Sequence, residues 1–131
     1  MRVLPELTPE NAFFWTGGAA GELRILRCGR CRTWIHPPSP ICPSCRSREL
    51  APEAASGRGS VLTWTVNHHR WGALPVPYVI AIVELDEQPG LRLLTNLVEV
   101  PEGRLRSGLR VAVRFEPVED VWLPLFAPES P

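Results

Sequence analysis

Cys28-Gly29-Arg30-Cys31 and Cys42-Pro43-Ser44-Cys45 hold all four cysteines of the chain, as two C-x-x-C pairs with ten residues between them. Each pair can close into a tight knuckle whose thiolates converge on one metal ion. Four thiolates around Zn²⁺ form the closed tetrahedral coordination of a structural site. Gly29 is expected to loosen the first knuckle and Pro43 to stiffen the second. Spacing alone leaves two alternatives open. One is a pair of disulfides, although nothing in the chain points to an oxidising compartment. The other is iron in a rubredoxin-like site, since tetrahedral thiolate suits both metals. A closed site leaves no position for water or substrate, so the metal implies a small module held together without a large core, not a catalyst.

A chain of 131 residues makes one ordinary domain, or two small ones sharing a core. Fifteen prolines and ten glycines favour short strands and turns over long helices. A net charge of zero argues against a general nucleic-acid binder. All fourteen basic residues are Arg, which fits codon bias in a GC-rich genome. Met1-Arg2-Val3-Leu4-Pro5 has no apolar run of signal-peptide length, and no stretch is apolar for the roughly eighteen residues a membrane span needs. A soluble, cytoplasmic protein with reduced thiols free to hold metal is the expectation.

Thr8-Pro9-Glu10-Asn11 reads as a helix start. Thr8 can cap, Pro9 suits the first helical position, and Glu10 favours the positive end of the dipole. The helix is expected to run to about Thr16 and to stop at Gly17-Gly18. It carries Phe13, Phe14 and Trp15 in succession, which at about 100° per residue sweep roughly 200° of its surface. That arc is too wide for one core-facing stripe. Either the helix is buried on two sides, or these aromatics meet a partner.

Leu23 to Arg27 leads into the first knuckle as a strand. Trp34-Ile35-His36 returns before Pro37-Pro38, and Glu49-Leu50-Ala51 leads out of the second knuckle. Strand, knuckle, strand, knuckle, strand is a zinc ribbon. Between Leu23 and Arg48 lie six arginines (Arg24, Arg27, Arg30, Arg32, Arg46 and Arg48) and no acidic residue. Four thiolates on Zn²⁺ carry about −2 of charge, so the ribbon stays locally cationic. Its arginines are either a solvated face or a surface for phosphates or an acidic partner, with Arg30 and Arg46 the candidates for that contact.

From Gly57 the pattern turns to period two. Leu62, Trp64 and Val66 should share one face of a strand, with Thr63 and Thr65 on the other. The loop from Asn67 to Pro77 holds His68, His69, Arg70 and Trp71. Tyr78 to Leu85 is an almost unbroken apolar strand, Asp86-Glu87-Gln88-Pro89-Gly90 a turn, and Leu91 to Val98 the next strand. After Gly108, Leu109, Val111, Val113 and Phe115 should point inward. Val121 to Phe126 closes the set. Five short strands fit a Greek-key barrel of OB-fold type. The predicted fold is mainly β: a helical segment at residues 1–22, a zinc ribbon at 23–52 and an OB-fold at 53–131.

That order resembles a bacterial and archaeal family long catalogued as a domain of unknown function, which joins a rubredoxin-like zinc ribbon to an acyl-CoA-associated OB-fold. The resemblance covers nearly the whole chain. It rests on Phe14-Trp15, Leu26-Arg27-Cys28-Gly29-Arg30-Cys31, His36-Pro37-Pro38, Cys42-Pro43-Ser44-Cys45, Gly57-Arg58-Gly59-Ser60-Val61, Pro77-Tyr78, Val83-Glu84-Leu85-Asp86-Glu87, Thr95-Asn96-Leu97 and Gly108. Members of that family are encoded beside thiolase-like enzymes and form complexes with them. They bridge acyl-CoA condensing enzymes or complete a steroid side-chain aldolase, and some are fused to a hydratase-like domain. The resemblance therefore implies Zn²⁺, a hetero-oligomer with a thiolase-like subunit, and a chain that can be one piece of a longer protein.

The residues agree on one point. An OB-fold that grips single-stranded nucleic acid offers stacking aromatics and cations on its second and third strands. Here those strands offer Tyr78 and Arg92 among Val, Ile, Leu and Ala. Both faces of the second strand are apolar, and a barrel interior buries only one. No nucleophile and base form an evident motif: His36 reads as structural, and His68 and His69 are loop neighbours. The leading expectation is a non-catalytic accessory subunit, with Phe13, Phe14 and Trp15 as partner-binding residues. A single-stranded nucleic-acid-binding protein and an iron electron-transfer protein are the alternatives.

Overall fold

β1 (Leu23–Cys28) lies between two neighbours, β2 (Trp34–Ile35) and β3 (Leu50–Ala55), in an antiparallel three-stranded sheet. The computed structural model describes residues 4–72 and 74–129. Met1-Arg2-Val3, read above for a leader, lies outside them. Downstream, β4 (Arg58–Asn67), β5 (Tyr78–Leu85), β6 (Arg92–Leu97), β7 (Arg110–Val118) and β8 (Val121–Pro128) close a barrel in the order β4-β5-β6-β8-β7. All its pairings are antiparallel except β6 with β8, which run parallel at Leu97 and Phe126. The mainly β fold, with a short helix, a ribbon and a five-stranded barrel, is as the sequence predicts.

The helix is shorter than predicted. α1 spans Ala12–Thr16, five residues, and Thr8 does not cap it. The Asn11 side chain accepts the Thr8 amide at 2.8 Å, and the Thr8 carbonyl accepts the amides of Asn11 and Ala12. This turn uses the groups a longer helix would need, the usual competition that Asn offers to helix. Nor do the glycines stop the chain. A tight 3-10 turn, Gly17–Ala20, continues from α1 and ends at Gly21, whose φ of 72° is the left-handed stop. A Cβ on Gly18 would lie 2.5 Å from Cβ of Trp122, so the glycine lets this turn rest on the barrel.

Two apolar clusters divide the ribbon sheet by face. Adjacent strand residues point to opposite sides. Leu23, Ile25 and Trp34 join the barrel core around Val61, Val83, Leu93, Val111 and Phe126, whereas Leu26, Cys28 and Ile35 pack with Cys42. The ribbon and barrel therefore share one core. A third cluster covers the outer face of β8, where Val121, Leu123 and Leu125 meet Leu4, Leu7 and Trp15.

α1 is accordingly buried on several sides. Phe13 packs against both ribbon and barrel clusters, Trp15 against the barrel and β8 clusters, and Phe14 is only 6% exposed inside the barrel cluster. The wide aromatic arc is largely filled by the protein's own layers, with Phe14 the most deeply buried of the three rings. Its ring stacks on His36 at 4.9 Å and meets Trp15 edge-on at 4.8 Å.

β4 also departs from the pattern. Val61 pairs with Val83 and Thr63 with Ile82, leaving Leu62 as the extra residue of a bulge. The bulge puts Val61 in the core and turns Leu62 outward at 38% exposure, while Trp64 and Val66 face inward as expected.

Phe14→Ala should therefore cost about 3–5 kcal/mol of stability, the range for a truncated core Phe. Leu62→Ala should stay within about 0.5 kcal/mol. Chemical denaturation of the two variants checks the contrast.

Candidate functional site

The two knuckles share one backbone design. Cys28 N–H donates to the Thr33 carbonyl and Cys42 N–H to the Ser47 carbonyl, both at 2.9 Å. Four residues beyond each of these cysteines, Arg32 N–H returns to the Cys28 carbonyl and Arg46 N–H to the Cys42 carbonyl. Making that return puts Arg32 and Arg46 in the left-handed region, at φ 66° and 64°. Gly29 has a different role from the one expected. Its N–H donates to the Glu49 carbonyl at 2.7 Å, and a Cβ there would crowd that oxygen at 3.2 Å.

These loops gather the thiols. The Sγ atoms of Cys28, Cys31, Cys42 and Cys45 all lie within 4.8 Å of one another. Cys28 and Cys45 are 3.6 Å apart, as are Cys31 and Cys42. A tetrahedron of sulfurs at about 2.3 Å from zinc has edges of about 3.8 Å, so the donor set fits the ion. The amides of Arg30 and Cys31 both point at Cys28 Sγ, at 3.4 Å each. Such contacts favour thiolate and lower the Cys28 pKa, the Cys31 amide contributing most. The Thr33 side chain and then its backbone hold Cys31 down to about 6. The Ser47 backbone lowers Cys45, but burial and the neighbouring thiols outweigh it and push Cys45 up to about 11.

Around this centre the arginines divide. Arg24 pairs with Glu22 at 2.9 Å, and Arg27 and Arg32 both reach Glu53 on β3. Arg27 also lies 4.3 Å above the Trp34 ring. Two carboxylates just outside the Leu23–Arg48 interval thus pair with three of its six arginines. Arg30, Arg46 and Arg48 are the ones that form no ion pair among the described residues. Burial against Phe14 lowers the pKa of His36, in keeping with a structural role. His68 and His69 are exposed.

The structure adds a site that the sequence reading left unplaced. On the outer face of the barrel lies a groove of about 680 Å³. It is lined by Tyr78 and Ile80 of β5, Leu94 of β6, Phe14 and Trp15 of α1, Leu123 of β8 and Trp71 of the loop after β4. No described lining residue carries a charge. Leu94 is 74% exposed and Trp71 78%. Leu94 was foreshadowed by its place between Leu93 and Thr95, both inward, since alternation sends it outward. Phe13 borders a second groove, beside Leu26, Leu50 and the ribbon prolines, which includes Glu10 and Arg48.

Two family models cover most of the chain: "ChsH2, rubredoxin-like zinc ribbon domain" at residues 15–51 and "ChsH2, C-terminal OB-fold domain" at residues 52–116. Among similar proteins is the "Probable enoyl-CoA hydratase alpha subunit" of Thermomonospora curvata, 38% identical over all of this chain and 41% of that protein. The "3-oxo-4,17-pregnadiene-20-carboxyl-CoA hydratase alpha subunit" of Mycobacterium tuberculosis is 35% identical over 96% of the chain and 40% of its own length. The chain thus spans about two fifths of these relatives. A "DUF35 domain-containing scaffold protein" of Methanocaldococcus jannaschii is 34% identical over 72% of the chain and 68% of its own. A solved structure described as "Ltp2-ChsH2(DUF35) aldolase" contains a chain that matches with a TM-score of 0.85 and 38% identity, over 95% of this chain and 98% of that one.

One Zn²⁺ per chain should appear in elemental analysis, and Cys→Ser at any of the four positions should remove it and unfold the ribbon. Metal uptake must displace thiol protons, so affinity should rise with pH. It should weaken more steeply below about 6, where Cys31 is also protonated. Titration with a competing chelator at several pH values reads this directly.

Proposed function

This chain belongs to the ChsH2 family, in which a rubredoxin-like zinc ribbon precedes an OB-fold, and on that premise we propose that it is a non-catalytic subunit of a thiolase-like acyl-CoA enzyme. It would bind that enzyme, complete it and help shape the entrance used by the CoA thioester. A steroid side-chain aldolase is the preferred partner.

The observation that carries this reading is the match of nearly the whole chain, at 38% identity, to a component of a structure described as an aldolase of two named parts. The scaffold name of the archaeal relative points the same way. The Mycobacterium relative is named for a steroid-derived CoA thioester, which supports the steroid preference. A non-catalytic role suits a centre whose four thiols are aimed at one another, a closed set that leaves no coordination position for substrate. Arg30 and Arg46, exposed beside the knuckles, are the groups proposed to meet CoA phosphates or acidic residues of the partner.

Co-expression with an aldolase of thiolase fold from the same genome tests the proposal. The partner should be insoluble or inactive alone, and should co-elute with this chain and gain activity. Arg30→Glu and Arg46→Glu should weaken assembly or CoA affinity at low salt and do so less at high salt. A monomeric chain that instead binds single-stranded oligonucleotides tightly would overturn the reading in favour of the nucleic-acid alternative.

A further inference from the structure

The loop after β4 is braced around its tryptophan. Asn67 Nδ2 donates to the His69 carbonyl at 2.6 Å, and Arg70 Nε donates to the Gly72 carbonyl at 3.3 Å. The His69 ring meets the Trp71 ring edge-on at 4.4 Å, with 60° between their planes. An indole held by its neighbours, yet 78% exposed, loses little side-chain freedom when it is finally covered. This gives His69 a role as a positioning residue, and gives the chain a pre-formed apolar projection.

The groove that Trp71 lines supplies the matching recess. A partner segment entering it meets Ile80, Leu94 and Leu123 and no charged side chain among the described residues. A charged segment would lose hydration there without gaining a counterion, so charge matching selects an uncharged, apolar one. Tyr78 adds a phenol to the lining, and aromatic side chains with a polar tip recur at protein interfaces. Leu94 and Trp71, the two most exposed large apolar residues among the described residues, line the same groove from β6 and from the loop.

We propose that this groove and the braced Trp71 form the surface on which an uncharged apolar segment of the partner enzyme docks, with Trp71 as its anchor. The inference rests on the subunit reading above and gives it an address, a barrel groove that the helix aromatics Phe14 and Trp15 also line. The second groove, which contains Glu10 and Arg48, is the poorer match for an uncharged segment.

The test is a binding titration of the zinc-loaded full chain with the aldolase-type partner, using Trp71→Ala, Leu94→Asp, His69→Ala and a control, Ile41→Asp, at an exposed ribbon position. Melting temperatures verify that each variant is folded. Trp71→Ala and Leu94→Asp should each weaken binding about 30-fold or more, the scale of an interface hot spot, and His69→Ala by a smaller factor. Ile41→Asp should change it less than about twofold. A complex that forms with undiminished affinity in the Trp71 and Leu94 variants overturns this proposal and leaves the subunit reading standing. Failure of the unmodified chain to bind any such partner overturns both. Self-association lost in Trp71→Ala would assign the groove to a second copy. Saturable binding of a free fatty acid or sterol, with partner affinity unchanged in the variants, would assign it to a small ligand. Either result overturns the docking proposal.

Discussion

Cys31 and Cys42 tether both ends of one short segment to a single point. Their sulfurs lie 3.6 Å apart, and between them runs β2, only two residues long. Two residues of strand cannot hold themselves in place, because each ordered residue costs about 1–2 kcal/mol of backbone entropy. Gathering the thiols on one ion restricts the segment and so supports its pairing with β1. Once it is held, successive side chains serve different parts of the protein. Trp34 enters the barrel core, Ile35 packs beside the thiols, and His36 stacks on Phe14. The metal centre acts through these positions, by fixing a segment that three other elements lean on.

The free edge of β2 is closed by the barrel. Gln88, in the turn between β5 and β6, accepts the Trp34 N–H at 2.9 Å and donates to the Trp34 carbonyl at 3.0 Å. Its side-chain amide thus replaces the neighbouring strand that β2 lacks and caps an edge that would otherwise be open. In the same turn Glu87 accepts the Ser56 N–H at 2.6 Å, and Asp86 holds Arg110 with two contacts of 2.7 and 2.6 Å. The paired guanidinium keeps the Asp86 carboxyl below its usual pKa. A folded-state pKa lowered in this way adds stability above the ordinary carboxylate range, and that stability fades as pH falls through it. Three consecutive residues thus fasten ribbon to barrel and barrel to itself.

Much of this was legible in the sequence, for a physical reason. The cysteine spacing and the period-two strands are local signals, and the elements they predict are found at Leu23–Cys28, Tyr78–Leu85 and Arg92–Leu97. What was not legible depends on contacts distant in sequence, or on residues that conceal their conformation. Arg32 and Arg46 take the left-handed turns where glycine would have advertised them. Asn11 diverts the chain before the helix can start at Thr8. The extra residue at Leu62 cannot be seen without knowing which residues of β5 lie opposite. Asp86-Glu87-Gln88 read as an ordinary turn because its partners, Arg110, Ser56 and Trp34, are 24, 31 and 54 residues away.

The exposed groove follows from how the barrel's outer faces are shared out. The N-terminal segment and Trp15 cover β8, burying Leu123 and Leu125. Phe13 and Phe14 are committed to the ribbon and its junction with the barrel. Nothing described remains to cover the far side of β6, so Leu94 stays open even though its strand is paired on both sides. Leu94 therefore contributes little to folding, and a polar residue there would leave the core unchanged. An apolar residue at that place is a feature for which the fold itself supplies no need. The same holds for Trp71, on a loop whose hydrogen bonds brace it without burying its ring. Two large apolar side chains from distant parts of the sequence, neither required by the core and both facing one uncharged recess, are best understood through what covers them in an assembly.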